Sequence, residues 1–376
     1  MMIENVAIIS ALRTPITKGF KGAFATIRPD DLGALALKEA IKQSKVDPEL
    51  IEDVITGCAM PEAEQGMNLS RIISLRAQLP HKVSAATVNR FCASGLHAVA
   101  DIAKSIAVGQ IKAGVGMGVE SMSLVPMGGH KPSANPYLMT NYPQAYTTMG
   151  ITAENVAQKF GIDRKRQDEF ALASHQKALS AIKNAHFAQE IVEVNSVKTD
   201  EGPRADTTLE ALMSLKPAFK INGSVTAGNS SQISDGAAAV MLTHSKFAKE
   251  NNLAIKGYFK AFVSVGTDPS IMGVGPIEAI KKLLQISNLN LSDIGVIELN
   301  EAFAAQAIYC MDTLKLDPKK VNPNGGAIAL GHPLGCTGAR QIATILNHMQ
   351  RNSLRYGICS MCVGGGMGAA GLIELA

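Results

Sequence analysis

Short apolar runs alternate with helix-spaced segments along the whole chain. An apolar run opens at Val6, a helical pattern ends at Ala40-Ile41-Lys42-Gln43-Ser44, and a second strand core follows at Val54-Ile55. Ala93, Leu96, Val99, Ala103 and Ile106 recur at helical spacing, and AGVGMGVE from 113 then reads as a strand. DGAAAVML from 235, Val296-Ile297, YGICSMCV from 356 and MGAAGLIEL from 367 read the same way. Strands alternating with helices predict an α/β fold built around a sheet.

The pattern repeats at one offset. Ser44 and Ser287 end similar helical segments 243 residues apart, and Val54-Ile55 and Val296-Ile297 lie 242 apart. Ser94-Gly95 and Thr337-Gly338 are 243 apart, as are the strands starting at 113 and 356. A constant offset means two copies of an α/β unit of roughly 120 residues. The second copy passes through Gly364-Gly365-Gly366 straight into its last strand, whereas the matching strand of the first copy arrives at 235. The expected organisation is therefore a first half made of residues 1–120 and 232–249, an inserted unit at 121–231, and a second half at 250–376. Within the insertion a loop-like stretch, Pro126 to Thr147, precedes a helical segment, Ala153 to Asn184. Long insertions on a rigid scaffold usually carry binding surfaces.

Composition narrows the function classes. The 376 residues are 46% hydrophobic and 18% charged, which is enough for a large core and excludes disorder. Aromatic residues make up 5% with no Trp, and the net charge of +4 comes without a basic run, so a nucleic-acid surface is not expected. No stretch reaches the roughly 18 apolar residues of a membrane span. The start MMIENVAIIS has no leader-like pattern and the final residues are not an SKL-type address, so the expected location is cytoplasmic. Six cysteines in such a chain predict reduced thiols.

Three segments carry candidate chemistry. Cys92 stands where an extended run meets a helix, a place where free amides and the helix dipole are expected to lower a thiol pKa. His332, in NPNGGAIALGHPLGCTGAR, follows a glycine-rich apolar run that reads as a strand, and the offset makes it the counterpart of Asn89. Pseudo-twofold symmetry would then bring His332 to Cys92 as the base a nucleophilic thiol needs. Cys362 ends a strand before three glycines. Its C-x-x-C spacing with Cys359 sends the two side chains to opposite faces of that strand, and no second ligand pair completes a metal site. Asn300-Glu301, at the tip of the strand VIEL, is either a helix cap or a water-positioning pair.

VNRFCASG, GMGVESMS, MGITAENVA, TAGNSSQISDGAAA, IMGVGP, NEAFAAQ, NPNGGAIALGHPLGCTGAR and SMCVGGGMGAA follow one another in an order that resembles the thiolases, from Val6 to Glu374. The likeness is greatest to the degradative 3-ketoacyl-CoA thiolases. It implies two duplicated βαβαβαββ halves in a five-layer α-β-α-β-α arrangement with an inserted loop domain. It further implies Cys92 as acyl-accepting nucleophile, His332 as its activator, Cys362 as acid and base, and Asn300 as holder of a water in an oxyanion site to which His332 also donates. A second oxyanion site would use the amides of Cys92 and Gly364. Arg204, Phe219, Ala227 and Ser231 fall on coenzyme A contact positions, and Met149, Met272 and Phe303 on positions lining the acyl and pantetheine region.

The implied reaction is thiolysis of 3-ketoacyl-CoA by coenzyme A, reversible as a Claisen condensation. Coenzyme A is a substrate, no metal or redox cofactor is called for, and a homodimer or homotetramer is expected. An acetyl-CoA C-acetyltransferase and, more remotely, a non-catalytic acyl-CoA carrier are the alternatives. Thr148-Met149-Gly150 stands where the biosynthetic branch typically has His-Met-Gly, which predicts a roomier acyl pocket.

Overall fold

Each half starts from a strand that meets its counterpart at the centre of the molecule. The computed structural model describes residues 2–376. The first half contains β1 (Val6–Arg13), the two-residue β2 (Thr17–Lys18), α1 (Pro29–Ser44), β3 (Asp53–Gly57), α2 (Leu69–Arg76), β4 (Ser84–Val88), α3 (Ser94–Ala107) and β5 (Ala113–Ser121). After α4 (Pro136–Asn141), α5 (Met149–Phe160), α6 (Arg164–Lys183) and α7 (Leu209–Met213), the chain returns to the sheet as β6 (Ser234–His244), followed by α8 (Ser245–Glu250). The second half runs β7 (Gly257–Gly266), α9 (Gly275–Ser287), β8 (Ile294–Leu299), α10 (Ala304–Leu314), the single turn α11 (Ala327–Leu330), α12 (Thr337–Asn352), β9 (Tyr356–Val363) and β10 (Met367–Leu375).

The strand order β4-β3-β5-β6-β1-β7-β10-β9-β8 is nearly a palindrome. In each half two neighbouring pairings are antiparallel, around β6 and β10, and the outer pairings are parallel. The sheet is continuous across the halves through a short β1–β7 ladder that pairs Ala7 with Tyr258 and Ile8 with Gly257. The position that β4 holds in the first half is reduced in the second to a bridge between Ile297 and Val321.

Side-chain alternation along the strands sorts the core into layers. On β6, Ala237, Ala239 and Met241 face outward to Leu32 and Leu37 of α1, while Ala238, Val240 and Leu242 face inward to Val99 and Ile102 of α3 and Ile342 of α12. In the second half Ala370 and Leu372 face Ile280 and Leu283 of α9, and Ala369 and Ile373 face the shared interior. Helices α3 and α12 touch each other and strands of both halves, so they form the middle layer. The glycines of AGVGMGVE have a reason here. Gly116 lies against the backbone of Val99 and Gly118 against Gly335, with no room for a side chain at either.

The inserted helices sit where β5 and β6 part. The single helical segment expected at 153–184 is two helices, because Gly161 takes φ 66°, which ends α5, and the Asp163 side chain accepts the Arg166 amide to start α6. Buried charge binds this region to the sheet. Fully buried Arg13 of β1 meets Glu190 at 2.7 Å and Asp200 at 2.7 Å and 2.9 Å. Glu190 also accepts hydrogen bonds from Thr344 and Asn347 of α12. Every charge in this group has a hydrogen-bonded partner, the condition under which buried ions are tolerated.

Candidate active site

Cys92 sits in a tight turn, Phe91–Ala93, between β4 and α3. Two side chains shape the turn. Asn89 accepts the Phe91 amide at 2.8 Å and donates to the Ala59 carbonyl, and Ser94 accepts the Arg90 amide and donates to the Phe91 carbonyl. They hold Phe91 at φ 41°, a left-handed conformation costly for an aromatic residue and stable only where the surroundings fix it. The amides of Cys92 itself and of Gly364 lie near enough to the Cys92 sulfur to favour its thiolate.

The pKa of the Cys92 thiol is raised and not lowered, contrary to the expectation from its place at a helix start. Burial pushes the Cys92 thiol up to about 12, and the two amides only partly offset that effect. Removing the sulfur from water costs the thiolate more than the helix end returns. In the free protein Cys92 is a neutral thiol that needs a base.

His332 supplies a nitrogen prepared for that task. Its Nδ1 lies 2.6 Å from Thr337 Oγ1, whose hydroxyl donates to the Pro333 carbonyl at 2.9 Å. With the hydroxyl proton committed to Pro333, Nδ1 carries the imidazole hydrogen and Nε2 keeps its lone pair. Asn300 Nδ2 faces that Nε2 at 3.3 Å. Burial, and then the Arg340 charge, push His332 down to about 3, so the ring is neutral at physiological pH. The segment before it, AIAL, is the helical turn α11 and not a strand, because Glu301 accepts the Ile328 amide and ties down the start of that turn.

The two helix starts meet as the pseudo-symmetry suggests. Gly338 at the head of α12 packs on the backbone of Leu96 in α3, and a Cβ on Gly95 would lie 2.5 Å from the Gly335 carbonyl. The loop bearing His332 is thereby laid against the turn bearing Cys92.

Cys362 is fully buried near the end of β9, clustered with Met149, Ala153, Val225, Met272, Ala302 and Phe303. Burial first, and the nearby Cys92 next, push its thiol well above the ordinary range. Cys359 faces the other way, into the middle layer. Among the described residues no group of three or more His, Cys, Asp or Glu is placed to hold a metal. The turn after Cys362 depends on glycine. Gly365 and Gly366 adopt φ of 77° and 84°, and Gly366 also lies against the Thr267 carbonyl.

The Asn300-Glu301 pair divides its work. Asn300 turns to His332, and its Oδ1 accepts no hydrogen bond from the described protein groups. Glu301 turns away, accepting from Ser174 at 2.6 Å, Asn322 at 2.8 Å and the Ile328 amide at 3.2 Å, which braces the segment leading to His332.

The remaining sequence-derived positions run from rim to floor. Arg204, Phe219 and Ala227 are exposed, Ser231 is partly so, and Met272 and Phe303 are buried beside Cys362. Phe219 rests on Gly150 and meets Phe303 edge to face at 6.0 Å, while the Ser231 amide donates to the Ala302 carbonyl. Buried His175 accepts the Arg204 amide and supports the loop without entering the site. Phe91 and Thr337 were not recognised from sequence. The Phe91 ring and the Met149 sulfur both lie beside Gly364, 3.6 Å and 3.5 Å from where a Cβ would stand. The available signals are adjacency to Cys92 for Phe91 and, for Thr337, its place five residues after His332 and its correspondence to Ser94 at the constant offset.

Residues 6–246 match the thiolase N-terminal domain model and residues 253–375 the thiolase C-terminal domain model. A 3-ketoacyl-CoA thiolase of Bacillus subtilis is 47% identical, covering 99% of this chain and 100% of its own. The crystal structure of the dimeric peroxisomal thiolase of Saccharomyces cerevisiae superposes with a TM-score of 0.92 at 44% identity, covering 99% of this chain and 98% of that one. Human mitochondrial 3-ketoacyl-CoA thiolase, solved in complex with CoA, gives 0.93 at 35% identity, covering 100% and 99% of the two chains.

Proposed function

The chain belongs to the thiolase family, and from that premise we infer that it is an acetyl-CoA C-acyltransferase cleaving 3-ketoacyl-CoA with coenzyme A. The observation that supports this chemistry is that the buried thiols Cys92 and Cys362 lie near each other, while the loop bearing neutral His332 packs against the start of the helix that follows Cys92. The Cys92 proton passes to His332 Nε2 as the sulfur attacks the 3-keto carbon. The oxyanion formed on the 3-keto oxygen is met by the Cys92 and Gly364 amides, while the protonated His332 and a water on Asn300 hold the thioester oxygen, on which the charge of the departing enolate develops. Collapse breaks the C2–C3 bond, and the acetyl-CoA enolate takes its proton from the Cys362 thiol. Coenzyme A then gives its thiol proton to the Cys362 thiolate and attacks the acyl-Cys92 carbonyl, whose oxyanion is met by the Cys92 and Gly364 amides. The product is an acyl-CoA two carbons shorter, and His332 returns its proton to Cys92. Each thiol ends as it began.

Residues 121–231 are the binding unit in this reading. Phe219, Ala227, Ser231 and Arg204 line the way in for coenzyme A, and Met149, Met272 and Phe303 contact the acyl and pantetheine chain. The acyl end favours longer substrates. Thr148 is exposed at the start of α5, as are Tyr137 and Met139 of α4 and Tyr142 after it, while Leu138 of α4 is half-buried; in this reading the space left by Thr148 is open to the acyl tail. A buried methylene gains about 0.8 kcal/mol. Specificity constants for C4 to C12 3-ketoacyl-CoA substrates are therefore expected to favour longer chains over acetoacetyl-CoA by roughly tenfold or more. A profile confined to C4 moves the protein to the acetyl-CoA C-acetyltransferase branch.

A homo-oligomer, dimer or tetramer, accompanies this reading. Strand β4 is an open edge of the sheet, bearing half-exposed Ala85, Thr87 and Val88 with an unpaired backbone side, and such edges are usually covered. A mass in solution of one 39.6 kDa chain contradicts it. Among the described residues no helix is long and apolar enough to cross a membrane, and the six cysteines are unpaired, which suits a reducing compartment such as the cytoplasm.

A further inference from the structure

Glu120 lies at the tip of β5, inside the motif GMGVESMS, and the mechanism above does not use it. At the offset of 243 its counterpart is Val363, the residue after Cys362, so the second half has no matching carboxylate. Glu120 is fully buried. Oε2 accepts the amides of Ala59 at 2.8 Å and Gly335 at 2.7 Å, and Oε1 accepts the Met60 amide at 3.1 Å and the Gln65 side-chain amide at 2.9 Å. The four acceptor directions of a carboxylate are thus filled by neutral donors. The thiols of Cys58, Cys92 and Cys336 are the titratable groups near it, with Cys58 Sγ at 3.6 Å.

Those donors come from two places that matter to the reaction. The Ala59 carbonyl anchors Asn89, which holds the Phe91 amide just before Cys92. Gly335 stands three residues after His332, wedged so that a Cβ would come within 2.7 Å of both Glu120 Oε2 and Cys58 Cα. One carboxylate therefore spans from the segment that shapes the nucleophile's turn to the loop that carries its base. We propose that Glu120 is a positioning residue that holds His332 in register with Cys92 across the junction of the two halves. This rests on the functional reading for the roles of Cys92 and His332, and on the geometry for the clasp.

The clasp acts against a charge effect, and the opposition gives a test. Glu120's negative charge raises the Cys92 pKa. If charge were its whole influence, Glu120→Gln would make Cys92 more reactive. A glutamine in this place turns an NH2 toward N–H donors, so the loop loses its hold and His332 its alignment. The readouts are the iodoacetamide alkylation rate of Cys92 at pH 7 without substrate, followed by mass spectrometry, and steady-state thiolysis. For E120Q we expect alkylation slower by about tenfold and kcat lower by about 100-fold, with KM for the acyl-CoA within threefold. Faster alkylation, or kcat within threefold of the parent, overturns the proposal. Gly335→Ala keeps the negative charge and drives the loop and the Glu120 carboxylate apart, and it should slow alkylation in the same direction; an unchanged rate also overturns the proposal. A merely structural role would lower the melting temperature and leave the alkylation rate of the folded variant as it was. Should the parent lack thiolysis, the functional reading fails, while the alkylation rates still decide the clasp.

Discussion

Cys92→Ser is expected to lose at least about 10,000-fold in turnover and to give no acyl-enzyme by mass spectrometry after mixing with acyl-CoA. The thiol already stands at a disadvantage, pushed up to about 12 by burial, and its base is a neutral imidazole pushed down to about 3. Attack is feasible because sulfur is a strong nucleophile and its charge passes to the substrate oxygen as the bond forms, close to donors already in place. A serine hydroxyl is far less acidic than a thiol and gains nothing from the site to compensate. An acyl adduct found on any residue but Cys92 would remove the nucleophile from the scheme.

Cys362→Ala should fail differently. Cys92, its amides and His332 are untouched, so acyl transfer from a simple acyl-CoA to Cys92 should remain within about tenfold of the parent. Carbon–carbon cleavage should fall by about 1,000-fold, because the enolate loses its proton donor and general acid catalysis commonly contributes that much. The apolar cluster of Met149, Met272 and Phe303 keeps out the water that could substitute as acid. Burst and steady-state rates measured on one preparation separate the two steps. Equal losses in both would show that Cys362 serves the acylation step too.

Much of this arrangement could be read from local signals. The constant offset exposes the duplication because both copies keep the starts of their central helices, at Ser94 and Thr337, where close helix packing tolerates only small residues. AGVGMGVE reads as a strand from its apolar run; that its alternate glycines admit α3 and the Gly335 loop shows only in the fold. The misread segments depended on partners far away in sequence. AIAL is apolar enough for a strand, but Glu301 caps it into a helical turn. The pKa of Cys92 was mistaken in sign because a helix end is visible in sequence and desolvation is not. Phe91 gives no hint of its left-handed backbone, which follows from the side chains of Asn89 and Ser94. Glu120 contacts Gly335 across more than two hundred residues, beyond any periodicity argument.

The placement of the insertion has a consequence for how the chain reaches this state. Strands β9 and β10 are joined by three glycines, so the second half pairs its last two strands at almost no conformational cost. Their equivalents β5 and β6 are separated by residues 122–233. For a flexible connection of that size, bringing the ends together costs on the order of 3 kcal/mol more than for a tight turn. The first half thus relies on the insertion's own helices, and on the anchor between Arg13, Glu190 and Asp200, to shorten the excursion before its sheet can close. Two copies with nearly the same architecture are unequal in the entropy each must overcome, and the copy that carries the nucleophile bears the larger share.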